Sequence, residues 1–256
     1  MVGQVHLSGS EEQEVNSGYY AACAGLAARS QALEVIANNL ANINTNGYRG
    51  QQPTFRALLA AADIGNPLSR AVNNFNVLSG TRLDLNPGNL ERTGGQFDLA
   101  IEGNGFFAVQ TGAGMMYTRN GSFRLSATNQ LITAAGDPVL GEQGPLIMPN
   151  GAVSISADGT VSVNGAVAGK VRLVEFSPEA QLTPTGNSYY DALGAKPVVA
   201  ARAAVRQGML EASNVNPISA TVSLISVQRN AEMLQRALGA FYGEFNRIAA
   251  NDLPRI

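Results

Sequence analysis

The chain contains no tryptophan, one cysteine (Cys23), one histidine (His6) and, among 17 basic residues, two lysines, Lys170 and Lys196. Each shortage excludes something. One Cys and one His cannot assemble a Cys/His metal site within a single chain. No intramolecular disulfide can staple the fold. A Ser–His or Cys–His dyad would have to draw on His6, which sits in a polar stretch among Gly and Ser. Charged residues make up 14% of the chain, the formal net charge is −2, and the arginines are scattered, so the electrostatic footprint of a nucleic-acid binder is missing. No apolar run approaches the roughly 20 residues that span a bilayer. The opening MVGQVHLSGSEEQEV has neither a basic start nor an apolar centre, so no cleavable secretion signal is expected. These counts predict no cofactor, no metal, no nucleic acid, no membrane insertion, no small-molecule substrate and no catalysis.

What is present is enough chain, 256 residues with 45% hydrophobic, for one or two domains with a sizeable core. Residues 1–17 are polar and acidic (Glu11, Glu12, Glu14) and read as a loose leader. From Tyr19 the chain turns Ala-rich, and Tyr19, Leu26, Leu33 and Leu40 recur every seven residues, with Ala22, Ile36 and Ile43 beside them. That spacing predicts a helix with a narrow apolar stripe, ending near Asn42 in a run of poor helix formers. Near the other end, Leu224, Val227, Ala231, Leu234, Leu238, Phe241, Phe245 and Ile248 alternate spacings of three and four, a seam of the coiled-coil kind. Asn216-Pro217 marks its start: Asn caps free N–H groups, and Pro at the first helical position gives up a donor that has no partner anyway.

Between the helices the period changes to two. Asn120-Gly121, Asp158-Gly159 and Asn164-Gly165 punctuate short β-branched runs and predict hairpins. The expected organisation is a leader at 1–17, a helix and turn at 18–48, an extended connector at 49–93, a central β domain at 94–210, and a helix with tail at 211–256. The fold class expected is α+β, with long N- and C-terminal helices pairing as a coiled coil (18–48 with 211–250, an axial helical domain) around an inserted all-β domain. The alternative is that both helices cover one face of the sheet. Apolar side surfaces such as Ile218, Val222 and Ile225 then call for neighbouring copies.

Several weaker signals are set aside. Gly103-x-Gly105-x-x-Ala108 fits a relaxed dinucleotide fingerprint, but Phe106-Phe-Ala-Val109 continues as strand and no acid follows about 20 residues on. Asp98 and Glu102 on one strand face would stand roughly 13 Å apart, too wide for a glycosidase pair. Cys23 reads as a small packing residue.

Residues 34–49, Glu-Val-Ile-Ala-Asn-Asn-Leu-Ala-Asn-Ile-Asn-Thr-Asn-Gly-Tyr-Arg, resemble the N-terminal signature of the bacterial flagellar rod and hook proteins. Tyr19-Tyr-Ala-Ala-Cys-Ala-Gly25-Leu26, Phe97-Asp-Leu-Ala-Ile-Glu-Gly103-Asn-Gly-Phe-Phe107, Tyr117-Thr-Arg-Asn-Gly-Ser-Phe123 and Gly208-Met-Leu-Glu-Ala-Ser-Asn-Val-Asn216 resemble further motifs of that family, in its order. The resemblance implies a structural, non-enzymatic subunit that self-assembles through its terminal helices into the axial drive shaft for motility. Within the family the chain looks most like the proximal-rod members, with the distal-rod members as the alternative. A cell-wall-cleaving, muramidase-like module and an extracellular coiled-coil adhesin are the alternatives of another class. Implied with the family are other rod subunits and the flagellar type III export apparatus as partners, and a periplasmic place in the basal body without a cleaved signal. Asn side chains hydrogen-bond locally and tolerate left-handed backbone, so the run Asn38, Asn39, Asn42, Asn44 and Asn46 suits a helix end and turn, with Gly47 at positive φ. Five amides exceed what a helix end needs, which points to neighbours. The expected subunit-interface residues are Leu26, Leu33, Ile36, Asn38, Asn39, Leu40, Asn42, Thr45, Gly47, Tyr48, Ser213, Asn214, Asn216, Leu224, Val227, Leu234, Leu238, Phe241 and Phe245.

Overall fold

The structure, a computed structural model, describes residues 9–57, 76–177 and 179–252, and the side chains of 23–54, 80–177, 179–240 and 242–243. The chain sorts into two compact units, one of Met1–Asn38, Gln51–Arg82 and Ile218–Ile256, the other of Asn39–Gly50 and Leu83–Pro217.

The first unit holds most of the two helices, α1 (Gly9–Ala41) and α2 (Pro217–Asp252), and a strand pair, β1 (Gln51–Ala57) with β2 (Asn76–Leu83). The Thr54 hydroxyl donates to the Gly80 carbonyl across that pair at 2.9 Å. The helix bounds follow local chemistry: α2 opens at Pro217 directly after Asn216, and α1 stops at Ala41, before the Asn run. Helix α1 already runs from Gly9, so the second half of the polar leader is helical rather than loose.

The expected fold class needs correction. Among the described residues the architecture is mainly β, with 19 strands and two helices, and it is not built on a pair of coiled-coil helices. A coiled coil seals its a and d side chains as knobs in a partner's holes. Here Leu26, Leu33 and Leu40 are only half-buried, as are Leu224, Val227, Leu234 and Leu238. The row that α1 does bury is Gly25, Ala28, Ala32 and Ile36, of which only Ile36 belongs to the expected stripe, and on α2 the one buried side chain among those described is Ala231, a member of the expected seam. Spacings of three and four are common to every amphipathic helix, and they do not by themselves specify interlocked seams.

The second unit contains the remaining strands: β3 (Leu90–Arg92), β4 (Leu99–Glu102), β5 (Phe106–Thr111), β6 (Gly114–Thr118), β7 (Arg124–Leu125), β8 (Leu131–Ile132), β9 (Leu140–Gly141) and β10 (Gly144–Pro145). They are followed by β11 (Val153–Ile155), β12 (Thr160–Val163), β13 (Ala166–Lys170), β14 (Leu173–Glu175), β15 (Thr183–Gly186), β16 (Tyr189–Asp191), β17 (Val198–Val199), β18 (Ala204–Gln207) and β19 (Met209–Glu211). The largest sheet has the order β15-β16-β6-β5-β14-β17, and every pairing in it is antiparallel. Its central strand β5 is apolar on consecutive positions because both faces are covered. Phe107 and Val109 enter a core with Leu99, Ile101, Leu131, Val139 and Val161, while Phe106 and Ala108 join Tyr117, Val174 and Tyr190 on the other face. Phe107 meets Phe123 edge to face at 5.1 Å. Full burial of a Phe side chain is worth about 1.5–3 kcal/mol relative to exposure.

Two short ladders close this unit: β18 pairs with β4, and β19 pairs with β3, so Leu90 faces Glu211. Of the expected hairpins, Asn164-Gly165 is a two-residue turn between β12 and β13, with φ of 51° and 86°. Asp158-Gly159 belongs to a longer loop in which the Asp158 carboxylate accepts from the Ser156 and Thr160 hydroxyls. Asn120-Gly121 is no hairpin, since β6 pairs with β5 and β16 while β7 pairs with β8. Glycine is required there for closeness: a Cβ at Gly121 would overlap the Leu99 carbonyl oxygen.

Candidate assembly site at the signature turn

After Ala41 the chain coils tightly. The N–H of Asn42 donates to the Asn39 carbonyl at 3.2 Å, that of Thr45 to the Asn42 carbonyl at 3.1 Å, and the Thr45 hydroxyl to Asn42 Oδ1 at 3.2 Å. Gly47 then takes φ +66°, as its place in the Asn run predicts, and its N–H donates to the Glu211 carbonyl at 2.6 Å. A Cβ at Gly47 would lie 2.2 Å from the Asn120 nitrogen, so the turn touches the chain just beyond β6 with no room for a side chain.

Tyr48 is buried, and its hydroxyl donates back to Asn39 Oδ1 at 3.1 Å. Asn214 fastens the next residues: Oδ1 accepts from the Gly50 N–H at 2.7 Å, and Nδ2 donates to the Asp84 and Asn86 carbonyls at 3.0 and 2.9 Å.

Beneath the turn lie three buried charges. The Arg49 guanidinium stands 2.7 Å from Glu211 Oε1, and Arg119 stands 3.3 Å from Glu211 Oε2. None of the three side chains is more than 2% exposed. Neutral partners complete the cluster. Glu211 Oε1 accepts from the Gly88 N–H at 2.8 Å, and Arg49 donates to the Asn86 carbonyl at 2.5 Å. Arg119 donates to the Ile101 and Gly103 carbonyls at 3.1 and 2.6 Å and lies over the Phe106 ring. The Nε atoms of both arginines make no hydrogen bond, and the Arg49–Glu211 contact is an ion pair whose N–H is out of line for one. Burial pulls Arg119 down to about 10, with Glu211 opposing the shift and Arg49 adding to it, so the group stays charged at neutral pH. Burial likewise pushes the Tyr190 phenol up to about 12, and its oxygen accepts from the Arg49 N–H at 3.0 Å. Breaking one partner of such a buried ion pair typically costs about 3–5 kcal/mol, because the other charge is stranded.

Of the residues expected at subunit contacts, the structure brings Asn39, Leu40, Asn42, Thr45, Gly47, Tyr48, Ser213 and Asn214 into the second unit with this cluster. Ser213 Oγ accepts from the Val215 N–H, and Asn216 is exposed at the end of that unit's segment. Asn38 is exposed and belongs to the first unit, with Leu26, Leu33, Ile36, Leu224, Val227, Leu234 and Leu238. Phe241 and Phe245 lie on α2, their side chains outside those described, and His6 precedes the described residues. Glu102 is paired with Arg206 at 2.6 Å on the surface, and Asp98 accepts from the Thr93 hydroxyl. Among the described residues no three His, Cys, Asp or Glu side chains gather as a metal site, and no helix is long and apolar enough to cross a membrane.

Three segments match known families: residues 20–49 the family described as flagella basal body rod protein, 100–163 the flagellar hook protein FlgE/F/G D1 domain, and 206–240 the flagellar basal body rod FlgEFG protein C-terminal region. The flagellar basal-body rod protein FlgF of Caulobacter vibrioides is 34% identical over 232 residues, covering 88% of this chain and 92% of that protein. FlgF of Escherichia coli is 35% identical, covering 84% and 91%, and FlgG of Agrobacterium fabrum is 30% identical, covering 85% and 92%. The chain belongs to the flagellar basal-body rod protein family.

That family is one of structural proteins rather than enzymes, located in the flagellar basal body, and membership implies assembly with other rod subunits. In this rod protein the buried charges acquire a further meaning. Arg49, Arg119 and Glu211 come one from each of the three matched segments, so the cluster ties all three together. None of the three was an expected site residue. A signal for them existed, since each lies inside a motif that carries the family resemblance, and their opposite charges are the pairing.

Proposed function

We propose that this chain is a structural subunit of the proximal rod, of the F type, a non-catalytic component of the axial drive shaft. The observation that carries the reading is the signature turn at residues 39–50, held rigidly on the Arg49–Glu211–Arg119 cluster, with relatives of F type more similar than the G-type one compared. A rigidly held turn presents its amides in one fixed geometry, which is what a repeating subunit contact requires. Asn38 on α1 and Asn39, Asn42 and Thr45 of the turn, with Ser213, Asn214 and Asn216, are proposed to meet neighbouring subunits. The helix residues Leu26, Leu33, Ile36, Leu40, Leu224, Val227, Leu234, Leu238, Phe241 and Phe245 are proposed to complete those contacts. Helix α2 also leaves Ile218, Val222, Ile225 and Met233 exposed, an apolar surface that neighbours can cover. Contacts between unlike patches that do not close into a ring generate a filament. Delivery by the flagellar type III export apparatus to the periplasm, without signal cleavage, follows from this role.

The test is deletion of the gene and complementation, followed by isolation of basal bodies. Loss of motility with rods that stop at the proximal segment, restored by the intact chain, is expected. Rods of full length and composition in the deletion strain would overturn the reading.

A further inference from the structure

Five Asn-Gly pairs run through the chain, at 46–47, 104–105, 120–121, 150–151 and 164–165. Each is a latent reactive pair. Asn is thermolabile because its side-chain amide carbon can swing against the next backbone nitrogen, and glycine has no Cβ to keep the two apart. Reaction sets three local conditions. The amide must be free to turn, the following N–H must be free to lose its proton, and water must reach both.

Four of the pairs fail at least one condition. The Gly47 N–H is buried and donates to the Glu211 carbonyl at 2.6 Å. Gly121 is buried against the Leu99 carbonyl, and Asn120 Oδ1 is held by the Ser122 N–H at 3.0 Å. Gly105 is buried, with the Ala200 and Ala203 methyl groups 3.2 and 3.5 Å from where a Cβ would stand, although Asn104 before it is exposed. Asn164 is exposed, but its amide is spent as a brace: Oδ1 accepts from the Ala152 N–H at 3.0 Å, and Nδ2 donates to the Asn150 carbonyl at 3.5 Å.

Asn150-Gly151 meets all three conditions. Both residues are exposed, in the bend that leads from Met148 to β11. Neither the Asn150 amide nor the Gly151 N–H makes a hydrogen bond among the described residues.

We propose that Asn150 is a site of spontaneous modification, converting through a succinimide to isoaspartate and aspartate and thereby releasing the loop ahead of β11. The Gly151 N–H gives its proton to hydroxide, and the nitrogen attacks Asn150 Cγ. The N–Cγ bond forms, the Cγ–Nδ2 bond breaks, and Nδ2 leaves as ammonia with a proton from water, which regenerates the hydroxide. A second water then opens the ring. Addition at Cγ restores the ordinary backbone with an aspartate side chain. Addition at the Asn150 main-chain carbonyl carbon breaks its bond to Gly151 and routes the chain through Cβ and Cγ. In sum one water enters and one ammonia leaves, with nothing oxidised or reduced. Either product adds a carboxylate and takes the formal net charge from −2 to −3.

The isoaspartate also lengthens the main chain by one carbon, two residues before Ala152. Both backbone groups of Ala152 are tied to Asn164: its N–H donates to Asn164 Oδ1, and its carbonyl accepts from the Asn164 N–H, each at 3.0 Å. Those bonds set the start of β11 against the end of β12, where Val153 faces Val163. A longer chain at 150 takes them out of line.

The experiment uses the purified full chain, kept warm at mildly alkaline pH and sampled over days. Peptide mass spectrometry follows the exchange of NH for O at each Asn-Gly pair. Isoaspartate is counted by enzymatic methyl transfer from S-adenosylmethionine. Conversion at Asn150 is expected to rise in proportion to hydroxide and to run at least about tenfold faster than at the other four, which must open locally before they react. Hydrogen exchange at Ala152 should quicken in the converted protein. Asn150→Gln, in which attack needs a larger ring, should lose the signal from its own peptide alone. In urea, with the fold gone, the five pairs should convert at similar rates.

An unconverted Asn150, or one no faster than Asn104 or Asn164, overturns the site. The same selectivity in urea overturns its assignment to the fold. Unchanged exchange at Ala152 after full conversion overturns the release of the loop.

Discussion

The Arg49 guanidinium lies 2.7 Å from Glu211 Oε1 with both side chains at most 1% exposed, so the last residue of the 34–49 signature and the last residue of β19 share one buried charge pair. Arg119 adds a second positive charge, and the cluster carries a net formal charge of one proton inside the protein. Stability here depends on the single carboxylate.

Glu211→Gln therefore strands two guanidinium groups. Urea unfolding of the variant is expected to show a loss of about 3–5 kcal/mol. Adding Arg49→Met should recover part of it, because one stranded charge is gone. A double variant no better than the single one would show that the pair is not coupled.

Gly47→Ala combines a backbone penalty with a collision. Gly94 has a similar φ, +74°, but open space around it, so Gly94→Ala measures the backbone term alone. That term is about 1 kcal/mol. The loss at Gly47 should exceed it clearly, since a Cβ there meets the backbone of Arg119 and Asn120. Equal losses in equilibrium unfolding would mean the turn lifts away freely.

Alkaline pH separates the buried groups by sign. Burial pushes both Tyr189 and Tyr190 up to about 12 from an ordinary 10. The stability these phenols contribute is fully present below pH 10 and is lost as pH rises to 12, because the unfolded chain releases protons first. Arg119, pulled down to about 10 from 12.5, acts oppositely: the cost of its buried charge is relieved over the same range. Two phenols against one guanidinium leave a net fall between pH 10 and 12. Urea midpoints measured across that range should decline, and Tyr190→Phe should decline less steeply.

Asn42→Leu removes an amide that accepts from Thr45. Rod assembly should be lost while the second unit unfolds within about 1 kcal/mol of the parent, as expected for a half-exposed site. Normal rods from this variant would remove the turn's amides from the subunit contact.

Local signals were legible in the sequence where chemistry is local. Gly47 at positive φ, the Asn164-Gly165 hairpin and the opening of α2 at Pro217 each depend on a few adjacent residues. Asn120-Gly121 misled because closeness to Leu99, rather than a tight turn, demands that glycine. The heptad rows told the faces in part and the packing not at all. On α1, Leu33 and its row stay half-buried while Ala28 and Ala32 beside them are buried with Ile36 of the expected stripe; on α2 the expected row holds the buried Ala231, yet a period alone does not specify interlocked seams. The Arg49–Arg119–Glu211 cluster joins three distant segments, and no spacing within any one of them announces it.

The pairing of β3 with β19 has a mechanical consequence. Leu90 stands opposite Glu211, and the Asn89 carbonyl accepts from the Ala212 N–H at 2.8 Å, so the chain arrives at and departs from the β unit side by side. Tension pulling those two strands apart peels their bonds one after another, whereas strands loaded along their length resist together. The ladder is therefore a zipper, and its clasp is Glu211, whose carboxylate also accepts from the Gly88 N–H on the approach to β3, a bond that breaks as the first rungs open.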